Sequence, residues 1–180
     1  MKHRFEEDLE IPAGIICTVE GNTITCKKDA LEIKKKIHLP GGKIKKEDTK
    51  LIFQIAEGNK NDWTKLRSTV AHMKNVFLGL EKPFVYALET CNVHFPMTLK
   101  ADSTKLTINN FLGEKIPRIA HINPEVKVEI QGSKITVTSH DREAAGQTAA
   151  NIEKATKVRN RDRRIFQDGI FIVKKPGVAA

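Results

Sequence analysis

The side chains with most chemistry to offer lie between residues 139 and 175, SHDREAAGQTAANIEKATKVRNRDRRIFQDGIFIVKK. From Lys154 to the C-terminus the chain carries eight Lys and Arg against two acids, Asp162 and Asp168, within a net charge of +9 for the whole sequence. The planar fork of Arg grips phosphate through two parallel hydrogen bonds, whereas Lys acts as a point charge. A concentration of both beside structured segments is a surface for a polyanion. Ser139, His140 and Asp141 are the residue types of a hydrolase triad, but neighbours on a chain do not face one another. The six His show neither HxxxH nor HExxH spacing, and no paired carboxylates form an acid–base couple. Gly41-Gly42-Lys43 and Gly113-Glu114-Lys115 lack the rest of a phosphate-binding loop. No catalytic residue, metal, cofactor or small-molecule substrate is expected.

The basic run must be held by a helix and a hairpin. Ser139 is the expected N-cap of the helix, with Asp141 and Glu143 in the first turn where the helix dipole favours acids. At 100° per residue, Ala145, Thr148, Ala149, Ile152 and Thr156 fall on one side, suited to packing on a sheet. Glu143, Gly146, Gln147, Ala150, Lys154 and Lys157 fall on the other, with Asn151 at its edge. Gly146 costs about 1 kcal/mol relative to Ala in a helix interior. Either a partner's backbone approaches closely there, or the glycine is simply tolerated. Gln147 and Asn151 suit ribose hydroxyls or base edges in the shallow minor groove of RNA, with Lys154 and Lys157 on phosphates. Arg159, Arg161, Arg163 and Arg164 extend the phosphate-binding run, and Asp162 pairs with one of them. Asp168-Gly169 reads as a type I′ turn pairing Arg164–Gln167 with Ile170–Val173, with Lys174 and Lys175 just beyond. Aromatics make up 6% of the chain, which points to backbone and shape recognition rather than base stacking.

The rest of the sequence reads as scaffold. Hydrophobic content of 39% and charged content of 29% are globular values. No apolar run is long enough to span a bilayer, and the acidic opening MKHRFEEDLE lacks the apolar core of a secretory signal. Cys17, Cys26 and Cys91 are odd in number and lack CxxC spacing, which fits a reducing cytoplasm. Residues 19–25, VEGNTIT, and 130–136, IQGSKIT, each form an alternating strand, a two-residue turn and a second strand. Aligning Gly21 with Gly132 suggests a duplication, each copy followed by a helix. The first helix, residues 61–80, carries an apolar stripe of Trp63, Leu66, Val70, Met73 and Phe77, with Asn61 or Asp62 as cap and Gly79 placed to end it. The lysines at 34–36 and at 43, 45 and 46 are solvated strand edges. Leu51–Ala56, Phe84–Leu88, Val93–Leu99 and Leu106–Ile108 read as strands. The expected fold is α+β: two duplicated units at 1–80 and 81–175, each an antiparallel sheet with a helix on one face, and a short tail at 176–180.

The second half resembles the large ribosomal subunit protein six family, in its archaeal and eukaryotic branch. NNFLGEKIPR (109–118), VKVEIQGSKITV (126–137), DREAAGQTAANIEKAT (141–156) and RNRDRRIFQDGIFIVKKPG (159–177) carry the resemblance. The first half matches in IPAGI (11–15) and VEGNTIT. The resemblance implies a duplicated α+β fold whose C-terminal unit docks on large-subunit ribosomal RNA. The contact would lie near the sarcin–ricin loop and the site of translational GTPases, among neighbouring ribosomal proteins in the cytoplasm. It implies that Gln147, Asn151, Lys154, Lys157 and the 159–164 run face RNA, with Lys115 and Arg118 as further candidates. Many members follow the first hairpin with Gly-Pro-Lys-Gly, where this chain has Lys27-Lys28-Asp29-Ala30, so no role is carried to that turn. The alternatives are a basic metal-dependent nucleic-acid-processing enzyme using Asp162, Asp168 or His140, and a protein–protein scaffold with a basic rim.

Overall fold

The computed structural model describes residues 2–47 and 49–177; of the tail expected at 176–180, residues 178–180 lie outside the described residues. The chain falls into two compact units that meet between Lys82 and Pro83. The first holds β1 (His3–Glu10), β2 (Ile16–Glu20), β3 (Thr23–Lys28), β4 (Leu31–Lys36), β5 (Gly42–Glu47), β6 (Lys50–Gly58) and α1 (Lys60–Glu81). The second holds β7 (Phe84–Cys91), β8 (Thr98–Ala101), β9 (Lys105–Asn109), β10 (Arg118–His121), β11 (Lys127–Gln131), β12 (Lys134–Ser139), α2 (Arg142–Ala155) and β13 (Gly169–Lys174).

The fold is α+β and duplicated, but not in the register that the hairpin motif suggests. In the first unit β1-β6-β5 form one antiparallel sheet and β2-β3-β4 another. In the second, β7-β12-β11 and β8-β9-β10 repeat that order strand for strand, and β13 is added outside β7. The hairpin β2–β3 therefore corresponds to β8–β9, and β11–β12 corresponds to β5–β6, which stands directly before α1. Alternation around a two-residue turn recurs in any short hairpin, so matching Gly21 to Gly132 paired strands at different places in the fold. Each unit also has two small sheets rather than one.

Each unit buries its own core. Leu51, Phe53 and Ile55 of β6 share one with Leu66, Val70, Met73 and Phe77 of α1, as the stripe predicts. Cys17 and Cys26, opposed across β2–β3, place their sulfurs 3.1 Å apart inside it. Leu88, Ile135, Val137, Ala149, Ile152 and Ile170 anchor the other. The α1 N-cap is Asn59, whose N–H donates to the Asp62 carboxylate at 2.9 Å, so the cap lies earlier than expected. Gly79 does not end α1; the helix runs to Glu81, and Lys82 turns extended at φ −143° because the ring of Pro83 disfavours helical backbone before it. The acidic opening segment becomes β1, tied to β6 by Lys50–Asp8 and by Gln54 on Glu6, and to α1 by Arg67–Glu7. The lysines of β4 and β5 do line sheet edges. Among the described residues no helix is long and apolar enough to cross a membrane.

Phe53→Ala removes a fully buried ring and should cost about 3–5 kcal/mol in urea unfolding of the first unit. Ile16→Ala, on the outward side of β2 and 67% exposed, should stay within about 0.5 kcal/mol.

Candidate nucleic-acid interface

The helix that carries the amides starts two residues later than the Ser139 cap predicts. Asp141 is the N-cap and accepts from the Glu143 N–H at 2.9 Å. Ser139 is buried, donates to the Glu125 carbonyl and accepts from the Asp141 N–H. The triad look-alike is thus a helix start. Ala145, Thr148, Ala149, Ile152 and Thr156 are all buried against the sheet side, as projected. On the outer side Gln147 Nε2 donates to Asn151 Oδ1 at 2.8 Å, and Asn151 Nδ2 donates to the His121 carbonyl at 3.1 Å. This ladder holds both amides in one orientation and leaves the Gln147 carbonyl without a partner among the described residues. Gly146 has an internal explanation: a Cβ there would lie 2.9 Å from Tyr86 Oη and 3.4 Å from its ring. Its missing side chain admits the tyrosine, and no partner's approach is needed to account for it.

Arg118 is an internal clamp. Its Nε and one terminal nitrogen grip the Glu114 carboxylate at 2.8 and 2.6 Å, and the other donates to the carbonyls of Ala155 and Lys157. Its guanidinium lies 4.2 Å over the buried Phe111 ring. These carbonyls have no helical donor at the end of α2, and a cation there also meets the negative end of the helix dipole. The guanidinium holds the Glu114 carboxyl below the usual range. With the clamp in place, the loop of Lys115 is fixed beside the start of the basic run. In that loop Leu112 keeps a left-handed backbone, φ 50°, costly for a bulky residue and held while Phe111 stays buried.

The basic run is a closed loop and not a hairpin arm. Asn160 turns it at φ 56°, and the Asp162 carbonyl accepts from the N–H groups of Ile165 and Phe166. The Asp162 carboxylate takes the backbone N–H, Nε and a terminal nitrogen of Arg164, the pairing expected of it. Asp168-Gly169 forms no turn: Gly169 opens β13, which pairs with β7. Asp168 is 2% exposed, and its carboxylate accepts from the backbone N–H groups of Val93 and His94 at 2.8 and 2.9 Å and meets His94 Nδ1 at 2.6 Å. Burial pushes this carboxyl up, but the His94 and Val93 hydrogen bonds outweigh it and hold it below its ordinary value. The same bonds take the donors that a strand at 93–97 would have used. That stretch consequently bends, and only Thr98–Ala101 is strand.

Among the expected contact residues, Gln147, Ala150, Asn151, Lys154 and Lys157 follow one side of α2 into the loop of Arg159, Arg161 and Arg163. Lys115, Lys154, Lys157, Arg159 and Arg163 are exposed and form no ion pair among the described residues. Arg161 sits 4.8 Å over the Phe166 ring, and Arg164 is committed to Asp162. Lys174 and Lys175 lie at the far end of β13, about 15 Å along the strand from Gly169. Asp162, Asp168 and His140 do not converge, and no cluster of three or more metal-ligating side chains occurs among the described residues. Sequence reasoning missed a cleft of about 660 Å³ between the end of α2, the basic loop and β13, with Phe166 and Phe171 in its lining. The alternation of Ile170 and Ile172 already turned Phe171 outward and was its available signal.

Comparison with known proteins matches residues 95–169 to the ribosomal protein L6 family. The large ribosomal subunit protein uL6 of Methanococcus vannielii is 39% identical over 173 residues, covering 96% of this chain and 95% of the relative. Its counterpart in Sulfurisphaera tokodaii is 41% identical over 174 residues, 96% of this chain and 93% of the relative. That of Methanocella arvoryzae is 37% identical over 169 residues, 93% and 96%.

Gly146→Ala gains about 1 kcal/mol of helix propensity against about 1–3 kcal/mol of overpacking on Tyr86, so the second unit should lose about 0–2 kcal/mol net. Tyr86→Phe, which removes the clashing hydroxyl, should recover part of that loss in a double-mutant cycle read by urea unfolding. The Asp168 carboxyl titrates in the folded chain below its unfolded value of about 3.9, so its contribution is complete above that value and is lost as pH falls through the folded one. Unfolding free energies measured from pH 6 down to pH 2 should therefore decline, and Asp168→Asn should flatten the decline.

Proposed function

The chain belongs to the uL6 family of large ribosomal subunit proteins, and we propose that its second unit is the part that anchors it to ribosomal RNA. It is a structural constituent of the cytoplasmic ribosome and not an enzyme. The observation that carries the anchoring surface is the pairing pattern of its cations. Arg118 spends its charge on the protein's own Glu114 and helix-end carbonyls, and Arg164, though exposed, is paired with Asp162 at the surface, whereas Lys154, Lys157, Arg159 and Arg163 have no acidic partner among the described residues. Charges so presented release condensed counterions when they meet phosphates, the main source of affinity for nucleic acid. The Gln147–Asn151 ladder adds oriented polar atoms suited to ribose hydroxyls in a minor groove. Lys115 extends the surface on one side, and Lys174 and Lys175 form a separate outer contact along β13.

The finer placement, beside the sarcin–ricin loop and the site of translational GTPases, with other ribosomal proteins as neighbours, is supported by the family resemblance of residues 109–177. No observation favours the metal-dependent enzyme, since Asp162 and Asp168 are both occupied by internal donors.

The protein should co-sediment with large subunits and bind protein-free large-subunit RNA with affinity that falls steeply with salt. Replacing Lys154, Lys157 and Arg163 together by Ala should lower the slope of log K against log salt by about 2–3. An unchanged slope would remove these three from the interface. Chemical protection confined to RNA away from the sarcin–ricin region would refute the finer placement.

A further inference from the structure

Resting on the reading that the second unit binds RNA, we propose that the cleft beside β13 receives one unstacked base of that RNA, with Phe171 as its stacking platform. The cleft lies between the C-terminal end of α2, the 158–168 loop and the start of β13, and its volume of about 660 Å³ is within the range of small-ligand sites. Its walls combine two chemistries. Val158, Phe166 and Phe171 supply apolar surface, and Lys154, Lys157 and Arg163 supply cations. An aromatic slot rimmed by unpaired cations complements a base with its flanking phosphates. The acids that also line it are turned inward: Glu153 accepts from the Ile172 N–H at 3.1 Å, and Asp168 is closed by Val93 and His94. The three cations of the wall, Lys154, Lys157 and Arg163, outnumber these two acids, so the lining is net positive.

The ring of Phe171 is held ready. It is 46% exposed, yet it does not swing free, because it lies down on Gly169. A Cβ at that position would meet the ring at 3.1 and 3.2 Å and the Thr156 carbonyl at 3.6 Å. Gly169 has no left-handed backbone to justify it, so what its missing side chain permits is the seat of the ring. Phe166 is occupied by His94, stacked at 4.9 Å, and by Arg161, and it contributes wall rather than platform. The low aromatic content of the chain does not count against this site, since one ring suffices for one base.

The test uses the full chain and protein-free large-subunit ribosomal RNA as probe, comparing wild type with Phe171→Ala, Phe171→Leu and Phe171→Trp. Loss of a stacked base should weaken binding by about 5- to 100-fold in the Ala and Leu variants, with Trp near wild type and the salt slope unchanged in all three. The Leu variant keeps apolar bulk over Gly169, so a weakened Leu variant with an unshifted melting temperature supports stacking and not packing. Wild-type affinity in Phe171→Leu overturns the proposal, as does a loss accompanied by a flatter salt slope, which would mean that the ring only positions cations. Wild-type protein that fails to bind the RNA overturns the underlying reading and this one with it. Wild-type binding that depends on Lys154, Lys157 and Arg163 but not on Phe171 overturns this one alone.

Discussion

A carboxylate sealed from water is costly unless donors replace the water it loses, and much of the second unit is arranged around meeting that demand for Asp168. Three donors from Val93 and His94 converge on it. In doing so they join the end of the basic loop to the connection between β7 and β8. Phe166 then stacks on the His94 ring, Gly169 enters β13 opposite Cys91, and Phe171 is placed at the mouth of the cleft. A single buried acid thereby sets where the loop ends, where the last strand begins and where the ring lies.

The positive charge of this unit is divided by role. Arg118 closes the free carbonyls at the end of α2 and holds Glu114, and Arg164 shapes its loop through Asp162. Lys154, Lys157, Arg159 and Arg163 face solvent without acidic partners among the described residues, whereas Arg161 lies over the Phe166 ring and helps to lower the Glu114 carboxyl. Exposed ion pairs contribute little to stability, so leaving Lys154, Lys157 and Arg163 unpaired costs the fold little while keeping them available for phosphate. Arg118 ties the end of α2 to Glu114 from 37 residues upstream of Ala155, and within residues 154–164 the Asp162–Arg164 pair stands beside cations that pair with no acid among the described residues.

The two units share their strand order but differ in what they add to it. The first closes with α1 and keeps β1 as a charged edge, cross-linked by ion pairs to β6. The second follows its helix with a loop and a further strand, β13, outside β7. The loop and strand carry Arg159, Arg161, Arg163, Lys174 and Lys175, so about half of the candidate contacts sit in the part of the second unit that the first lacks, and the rest lie on α2, just past its end and before it.

Much of the architecture could be read from residue order. The apolar stripe of α1, the sheet side of α2, the two tight hairpins, the edge lysines and the basic run all follow from local periodicity and turn chemistry, which depend on neighbours a few residues apart. The Asp162–Arg164 pair was legible for the same reason. The errors were equally systematic. Asp168-Gly169 has the local signature of a turn, but a donor set 74 residues away in sequence claimed the carboxylate instead. Gly146 advertised an absent side chain without saying that Tyr86 fills the space. Arg118 looked like any exposed arginine until the carbonyls at the end of α2 were brought to it, and the duplication was real but aligned on a motif too short to name its place in the sheet. By itself, then, the sequence determined the class of fold, the family and the concentration of positive charge at residues 154–164, because these rest on composition and short-range pattern. Only the tertiary structure decided which charges are spent internally, which remain for a partner and where an aromatic ring meets them, because hydrogen-bond partners and burial are settled between residues that are distant in the chain.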